Sequence, residues 1–296
     1  MMSVRIGINP LTWTNDDLPA LGGDTPFEQC LSEGKQAGFA GFELGHKFPR
    51  DPALLRPILA SHGLALVSGW YSSRLLERSA EQEIDALQEH LHLLKAMGCK
   101  VMVFCEVSDC VHGDIDTPVS QRPVLAEQAW PLFCERLEAV GRYLQEQGVR
   151  LAYHHHMGTV VERASEVDRL MENTSAAVGL LLDSGHLTFA GDDPLAVLRR
   201  WGSRVCHVHC KDVRAEVLAE VKAQDSSFLN AVLAGVFTVP GDGSIDYRPL
   251  LAELKPLNYQ GWLVVEAEQD PAKAHPLTYA RKGYRYLDEL VGSLGL

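Results

Sequence analysis

The chain alternates short apolar runs with longer stretches whose apolar residues recur at helical spacing, and the alternation repeats eight times. The apolar runs predict strands at 4–8, 41–44, 64–68, 100–105, 149–153, 178–182, 204–209 and 262–266. Helices are predicted between them: from Thr25-Pro26 to Ala37, then 51–62, 81–97, 123–147, 162–172, 194–201 and 247–257. A closing helix is predicted over 271–290. Gly38, Gly63, Gly98 and Gly148 stand where four of these helices must stop. Residues 211–234 read as an insertion with helices of its own, and 108–122 as a long polar loop. Strands separated by helices argue for a parallel sheet. Eight such units in 296 residues fit a closed (β/α)₈ barrel of the α/β class, in one domain spanning 1–296.

Composition narrows what such a barrel does. The formal net charge is −12, which argues against a nucleic-acid partner, since that needs a basic footprint. No run of about 18 apolar residues predicts a membrane span. The opening MMSVRIGINP reads as a first strand rather than a signal peptide. Seven cysteines without a C-x-x-C pair suggest reduced, mostly buried thiols and a cytoplasmic protein. A small-molecule enzyme is the reading these features leave, with a homo-oligomer open.

In a barrel of this kind the chemistry lies at the carboxyl ends of the strands. The stretch LAYHHHMGT at 151–159 ends the fifth strand in three histidines, with His154 and His156 on one face and His155 on the other. The sixth strand ends in Asp183, with His186 three residues on; the seventh carries His207 and His209, then Lys211 and Asp212. The eighth carries Glu266 and Glu268. His154, Asp183, His209 and Glu266 thus come from four successive strands at matching depth, a nitrogen and carboxylate set suited to a divalent first-row metal. Glu43 ends the second strand and Glu106 the fourth. Blander roles fit the remainder. His155 reads as structural and His207 and Glu268 as supports behind the ligands, while an ion pair with Asp212 is the lesser alternative for Lys211. His46-Lys47 reads equally as a substrate contact or a solvated loop, and His90 and His92 as surface residues in mid-helix.

The segments LLLDSGHLTFAGDDP, HVHCKDVR, VPGDGSIDY and GWLVVEAEQDPAKA resemble the xylose-isomerase-like TIM-barrel superfamily of sugar isomerases, epimerases and dehydratases. Within it, GINPLTWTNDDLP, GFELGHKFPRD, LVSGWYS, AYHHHMGT and SFLNAVLAGVFTVPGDGSIDY are similar to the inosose dehydratases of myo-inositol degradation. The resemblance implies one divalent metal, Mn²⁺ or Co²⁺, on Asp183, His209 and Glu266, with His154 where the superfamily usually has a glutamate. Epimerases of the class use two metal-bound carboxylates on opposite sides of the substrate, so an imidazole in one of those places implies elimination instead. The implied reaction is loss of water from scyllo-inosose, 2-keto-myo-inositol, to give trihydroxycyclohexane-1,2-dione. Such a reaction needs a base for the proton beside the ketone and an acid for the departing hydroxyl. Glu266 and His156 are the candidates, in either order, with His186 as a further catalytic group. Glu43, Lys211 and Arg214 are expected to clamp substrate oxygens, and Trp13, Trp70 and Tyr71 to form an apolar wall. Glutathione enters through the resemblance alone. Competing readings are a ketose isomerase or epimerase, a dehydroshikimate-type dehydratase, an abasic-site endonuclease and a polyol-binding protein without turnover.

Overall fold

The computed structural model describes residues 4–296, so the first three positions of the expected domain lie outside the described residues. Ten strands are present in chain order. They are β1 Arg5–Ile8, β2 Gly41–Leu44, β3 Ala65–Ser73, β4 Val101–Glu106, β5 Arg150–His154, β6 Val178–Asp183, β7 Val205–Cys210, β8 Asp212–Val213, β9 Phe237–Thr238 and β10 Trp262–Val265. Eight of them close a parallel barrel in the order β1-β10-β7-β6-β5-β4-β3-β2, while β8 and β9 form a small antiparallel pair. The expected (β/α)₈ architecture is therefore present, with β10 as the eighth barrel strand.

The strands are buried on both faces, and their side chains alternate between two environments. On β5, Leu151 and Tyr153 pack outward with the helices, whereas Ala152 packs inward with Val101, Val103 and Leu181. A second inward layer joins Val67, Trp262 and Val264. Apolar side chains thus plug the lower barrel, and the polar ends of the strands stand above the plug. Register fixes their heights. Asp183 pairs with His209 across β6 and β7, and His209 pairs with Val264 on β10, one turn of pleat below Glu266.

Differences from the expected elements have local causes. β3 runs on to Ser73, so Trp70 and Tyr71 lie within it instead of just past its end. The helix expected over 123–147 begins at Trp130, because Pro123 forces an extended Arg122 and Pro131 supplies the proline that a first helical turn tolerates. The helix expected over 81–97 is two segments, Ala80–Ala86 and Gln88–Ala96, joined at Leu87. A helix, Ser184–Ala190, was not expected after β6; the Asp183 side chain caps it by accepting from the His186 amide.

The insertion contains helices Ala215–Ala223 and Phe228–Ala234. It has its own apolar cluster, in which Phe228, Val232 and Phe237 meet Met157 and Phe189 of the barrel mouth. Asp212 holds the turn that follows it, accepting from the amides of Gly241, Gly243 and Ile245. A side chain at Gly243 would meet an Asp212 carboxylate oxygen at 2.3 Å, so glycine is required there. Asp212 therefore serves the backbone, which removes the alternative of an ion pair with Lys211.

Candidate active site

Strands β5, β6, β7 and β10 each deliver one side chain to a common point. His154, Asp183, His209 and Glu266 are all buried and each offers one ligand atom, the four atoms lying within 4.8 Å of one another. Their hydrogen bonds fix which atoms are free. His154 Nδ1 donates to the His155 carbonyl at 2.5 Å, leaving Nε2 with its lone pair 3.8 Å from Asp183 Oδ2. His209 Nε2 donates to Glu43 Oε1 at 3.0 Å, so Nδ1 faces Glu266 Oε2 at 2.8 Å and Asp183 Oδ2 at 3.5 Å. Asp183 Oδ2 and His209 Nδ1 have no hydrogen-bond partner although both are buried. Electron-rich atoms held this close in a dry site require positive charge among them. The field agrees. Burial opposes an imidazolium at His209, yet Glu266 and Glu43 hold its pKa well above the usual range. Burial likewise opposes the Glu266 carboxylate, yet His209 and Lys211 hold it well below. A divalent cation fits the donor set and the orphaned atoms.

A second layer braces these groups. Glu43 spans the barrel, accepting from His207 at 2.7 Å and from His209, while its other oxygen accepts from Asn9 at 2.8 Å. Asn9 also donates to Glu266 at 3.1 Å. With both oxygens engaged by the protein, Glu43 orients His209 where a substrate clamp was expected. Lys211 is wholly buried, with its ammonium 2.8 Å from Glu266, 2.7 Å from Glu268 and 3.1 Å from His186. Burial pushes Glu268 up to about 7 against the pull of Lys211. His186 Nδ1 lies 3.2 Å from the Met157 amide and Nε2 3.1 Å from the Lys211 ammonium, two donors of which a neutral imidazole accepts only one. Each nitrogen faces a protein group, and the fully buried ring is not among the residues that line the cleft.

A partly enclosed cleft opens above these groups. Asn9, Leu11, Asp16, Asp17, Glu43, Leu44, Trp70, Val103, His112, His156, His209, Glu266 and Glu268 line it. Trp70 stands as a wall, its ring 5.4 Å from that of His154 and 5.5 Å from that of His156. Phe228 of the insertion roofs the histidines, 5.1 Å from His156. His156 Nδ1 donates to the Met157 carbonyl at 2.8 Å, which leaves the Nε2 lone pair available. Burial holds this imidazole neutral, well below its ordinary pKa.

Three expected substrate contacts are corrected. Trp13 is fully buried beside Phe42, with Nε1 donating to Glu33 at 2.6 Å, and belongs to the core. Tyr71 alternates with Trp70 along β3 and so faces outward, where it bonds Glu83. Arg214 donates to the carbonyls of Gly235 and Phe237, to Thr238 and to Asp242, so its guanidinium ties down the insertion and is spent there. Other expectations resolve similarly. Glu106 is buried, accepting from Ser73, Leu75 and Ser108. His155 accepts the Asp183 amide at 3.3 Å, a structural role. His46 pairs with Asp16 at 2.7 Å. His90 is half-buried against Gly69 and Tyr71, and so is not a surface residue. Asn9, Asp17, His112 and Phe228 were not expected; all sit outside the barrel strands, Asn9 just past the end of β1, where no periodicity marks them.

The family described as xylose isomerase-like TIM barrel matches residues 31–290. Among curated proteins, the rhizopine catabolism protein MocC of Rhizobium meliloti is 51% identical over 100% of this chain and 91% of its own. An inosose dehydratase of Geobacillus thermodenitrificans is 47% identical over 98% of both chains. An inosose dehydratase of Clostridium tetani is 44% identical over 97% of both. An L-ribulose 3-epimerase structure shares the fold, with a TM-score of 0.69 at 15% identity over 98% of this chain and 95% of that one. Matched along nearly its whole length by the family and by its dehydratase members, the chain belongs to the xylose isomerase-like TIM barrel family and, within it, to the inosose dehydratases.

Proposed function

We propose that the cleft dehydrates scyllo-inosose to trihydroxycyclohexane-1,2-dione, as a metal-dependent hydro-lyase of inositol catabolism. The observation that carries this reading is the convergence of His154, Asp183, His209 and Glu266 beneath a cleft, in a chain 47% identical to an inosose dehydratase. Those four residues would hold the ion, and Mn²⁺ or Co²⁺ suits their nitrogen and oxygen donors. When bound, the ion supplies Lewis acidity to the ketone oxygen, which lowers the cost of the negative charge that develops when the neighbouring carbon loses its proton.

The chain's own residues do the rest. His156 takes the proton: it is neutral, its tautomer is set by the Met157 carbonyl, and its Nε2 lone pair is free. Glu266, the other candidate, is held by Lys211, Asn9 and the ligand set, which favours a binding role. Lys211 offsets the negative charge of Glu266 and Glu268. Trp70 presents an apolar face to the ring, and Phe228 excludes water from the histidines.

Five of the seven cysteines are buried and all are free, which supports a reducing compartment such as the cytoplasm. No described helix is long and apolar enough to cross a membrane. The test is to incubate protein loaded with Mn²⁺ or Co²⁺ with scyllo-inosose and follow the dione by its absorbance. Product without loss of water would select an isomerase or epimerase, and binding without product a polyol-binding protein.

A further inference from the structure

The cleft contains an acid-base pair that the reading above does not use. His112 lies on the long loop after β4, and Asp17 on the loop after β1. Both line the cleft, with His112 Nε2 3.8 Å from Asp17 Oδ1. The histidine is 8% exposed and its Nδ1 is buried with no hydrogen-bond partner. Asp17 retains about a third of its side-chain exposure, 34%, so the pair reaches from the dry interior to solvent.

This loop is held in place. The Val111 amide donates to the Gly158 carbonyl at 2.9 Å, which joins the loop to the turn that follows the three histidines. Gly158 has φ +80, and a side chain there would meet the His112 backbone nitrogen at 2.9 Å, so the close approach depends on glycine. On its far side the loop bonds the insertion: the Val119 amide donates to Ser226, Ser120 to Asp225, and Asn230 to Ile115. The His112 ring is packed against His156 at 4.8 Å, Trp70 at 6.2 Å and Phe228 at 6.5 Å. It makes no ring contact with His154 or His209.

We propose that His112, paired with Asp17 across the mouth of the cleft, is the general acid that protonates the departing hydroxyl. The assignment rests on the dehydration reading and follows from order in space. The proton to be removed is on the carbon next to the ketone, and the hydroxyl to be lost is one carbon further round the ring. The base must therefore lie beside the ligand set and the acid one group away from it. His156 and His112 stand in that order. As the C–H bond breaks, its proton goes to His156 Nε2 and its electron pair to the ketone-bearing side. That density then forms the ring double bond as the C–O bond breaks. The leaving oxygen takes the proton of the His112 imidazolium and departs as water. His112 is left neutral and regains a proton from solvent by way of Asp17; His156 loses its proton on release of product. One substrate gives one enol and one water, and the enol becomes the dione by proton shift alone.

The titratable groups that face His112 are Asp17, with Asp16 beside it, and His156; Trp70 and Phe228 are neutral. Burial holds the His112 pKa below its ordinary value against the pull of the Asp17 carboxylate, and burial raises Asp17 against the pull of His112. An acid must be protonated to act, so kcat falls as pH rises past the pKa of His112. Removing the Asp17 charge lowers that pKa and moves the alkaline limb to lower pH.

The test uses full-length, metal-loaded protein with scyllo-inosose, comparing wild type, His112→Gln and Asp17→Asn, each checked for metal content and melting temperature. His112→Gln is expected to retain its metal and lose about 10²-fold or more in kcat with KM little changed. Asp17→Asn, at a partly exposed position on the mouth, is expected to shift the alkaline limb down by about one pH unit. A kcat within threefold of wild type in His112→Gln, or an unmoved limb in Asp17→Asn, overturns the inference while the dehydration stands. A wild type that makes no dione removes the dehydration itself, and the assignment of the acid falls with it.

Discussion

The two halves of the barrel mouth are built on different terms. The half from β5, β6, β7 and β10 gathers His154, Asp183, His209 and Glu266 at one point, all buried and mutually facing. The half from β1 to β4 supplies Asn9, Asp17, Glu43, Trp70 and His112, which brace, wall and border the cleft. In the first half, charge is desolvated and each group depends on the others, so loss of one leaves its partners uncompensated. In the second half most groups act through a neighbour or against the ring, so their effects should be graded. Glu43 joins the halves, because it starts on β2 and ends on the β7 histidines.

The largest effect expected from this contrast is at Asp183. Asp183→Asn preserves the shape and the N-cap acceptor but removes the charge whose Oδ2 has no partner. Turnover should fall by about 10³-fold or more, with bound metal lost and circular dichroism unchanged. Chelation of the wild type should produce the same loss, reversed by Mn²⁺ or Co²⁺. Full activity in chelated protein would remove the distinction between the halves.

Glu43→Gln is the next step down. An amide keeps one acceptor but turns an N–H group toward donors from His207, His209 or Asn9. A group that orients a ligand usually costs 10- to 100-fold in metal affinity when replaced. Metal titration should show a loss of about that size, with kcat recovering at saturating metal. A substrate clamp would instead raise KM and leave metal affinity alone.

The same contrast explains what could be read from the sequence. The metal half is legible because strand ends are legible: HHH, LLLDSGH, HVHC and VVEAE each place a polar residue at the end of an apolar run, and barrel register then sets their heights. The bracing half is less so. Glu43 was visible as a strand end, but its partners are 164 and 166 residues away, and no local pattern records that. His112 and Asp17 sit in irregular loops whose paths depend on Gly158 and on the insertion. Trp70 and Tyr71 were separated only by knowing that β3 continues to Ser73 and so sends them to opposite faces.

Acid stability offers a smaller test, with one imidazole taken from each side. His155, behind the metal half, is depressed to about 3 and His90, beside β3, to about 4, chiefly by burial. Unfolded, both return toward the model-peptide value of 6.5. Between those limits the unfolded chain binds more protons, so stability rises with pH. It is fully present above about 6.5 and lost as the pH falls toward about 4 for His90 and about 3 for His155. The urea midpoint of metal-free protein should fall across that window. His90→Gln should flatten the dependence by at most one proton, about 1.4 kcal/mol per pH unit. An unchanged slope would mean that His90 is charged in the folded chain.

The smallest effect on catalysis is expected at Arg214, which tests where the site ends. Its guanidinium makes four contacts, to Gly235, Phe237, Thr238 and Asp242, all within or beside the insertion. Arg214→Ala should cost about 1–3 kcal/mol of stability through the partners left unsatisfied. Because Phe228 still packs with Phe237 and Val232 in the insertion's own cluster, the roof over the histidines should remain. At a temperature where the variant is folded, kcat/KM should lie within threefold of wild type. A KM raised tenfold or more, with stability unchanged, would instead put the guanidinium on the substrate and extend the binding surface from the barrel mouth into the insertion.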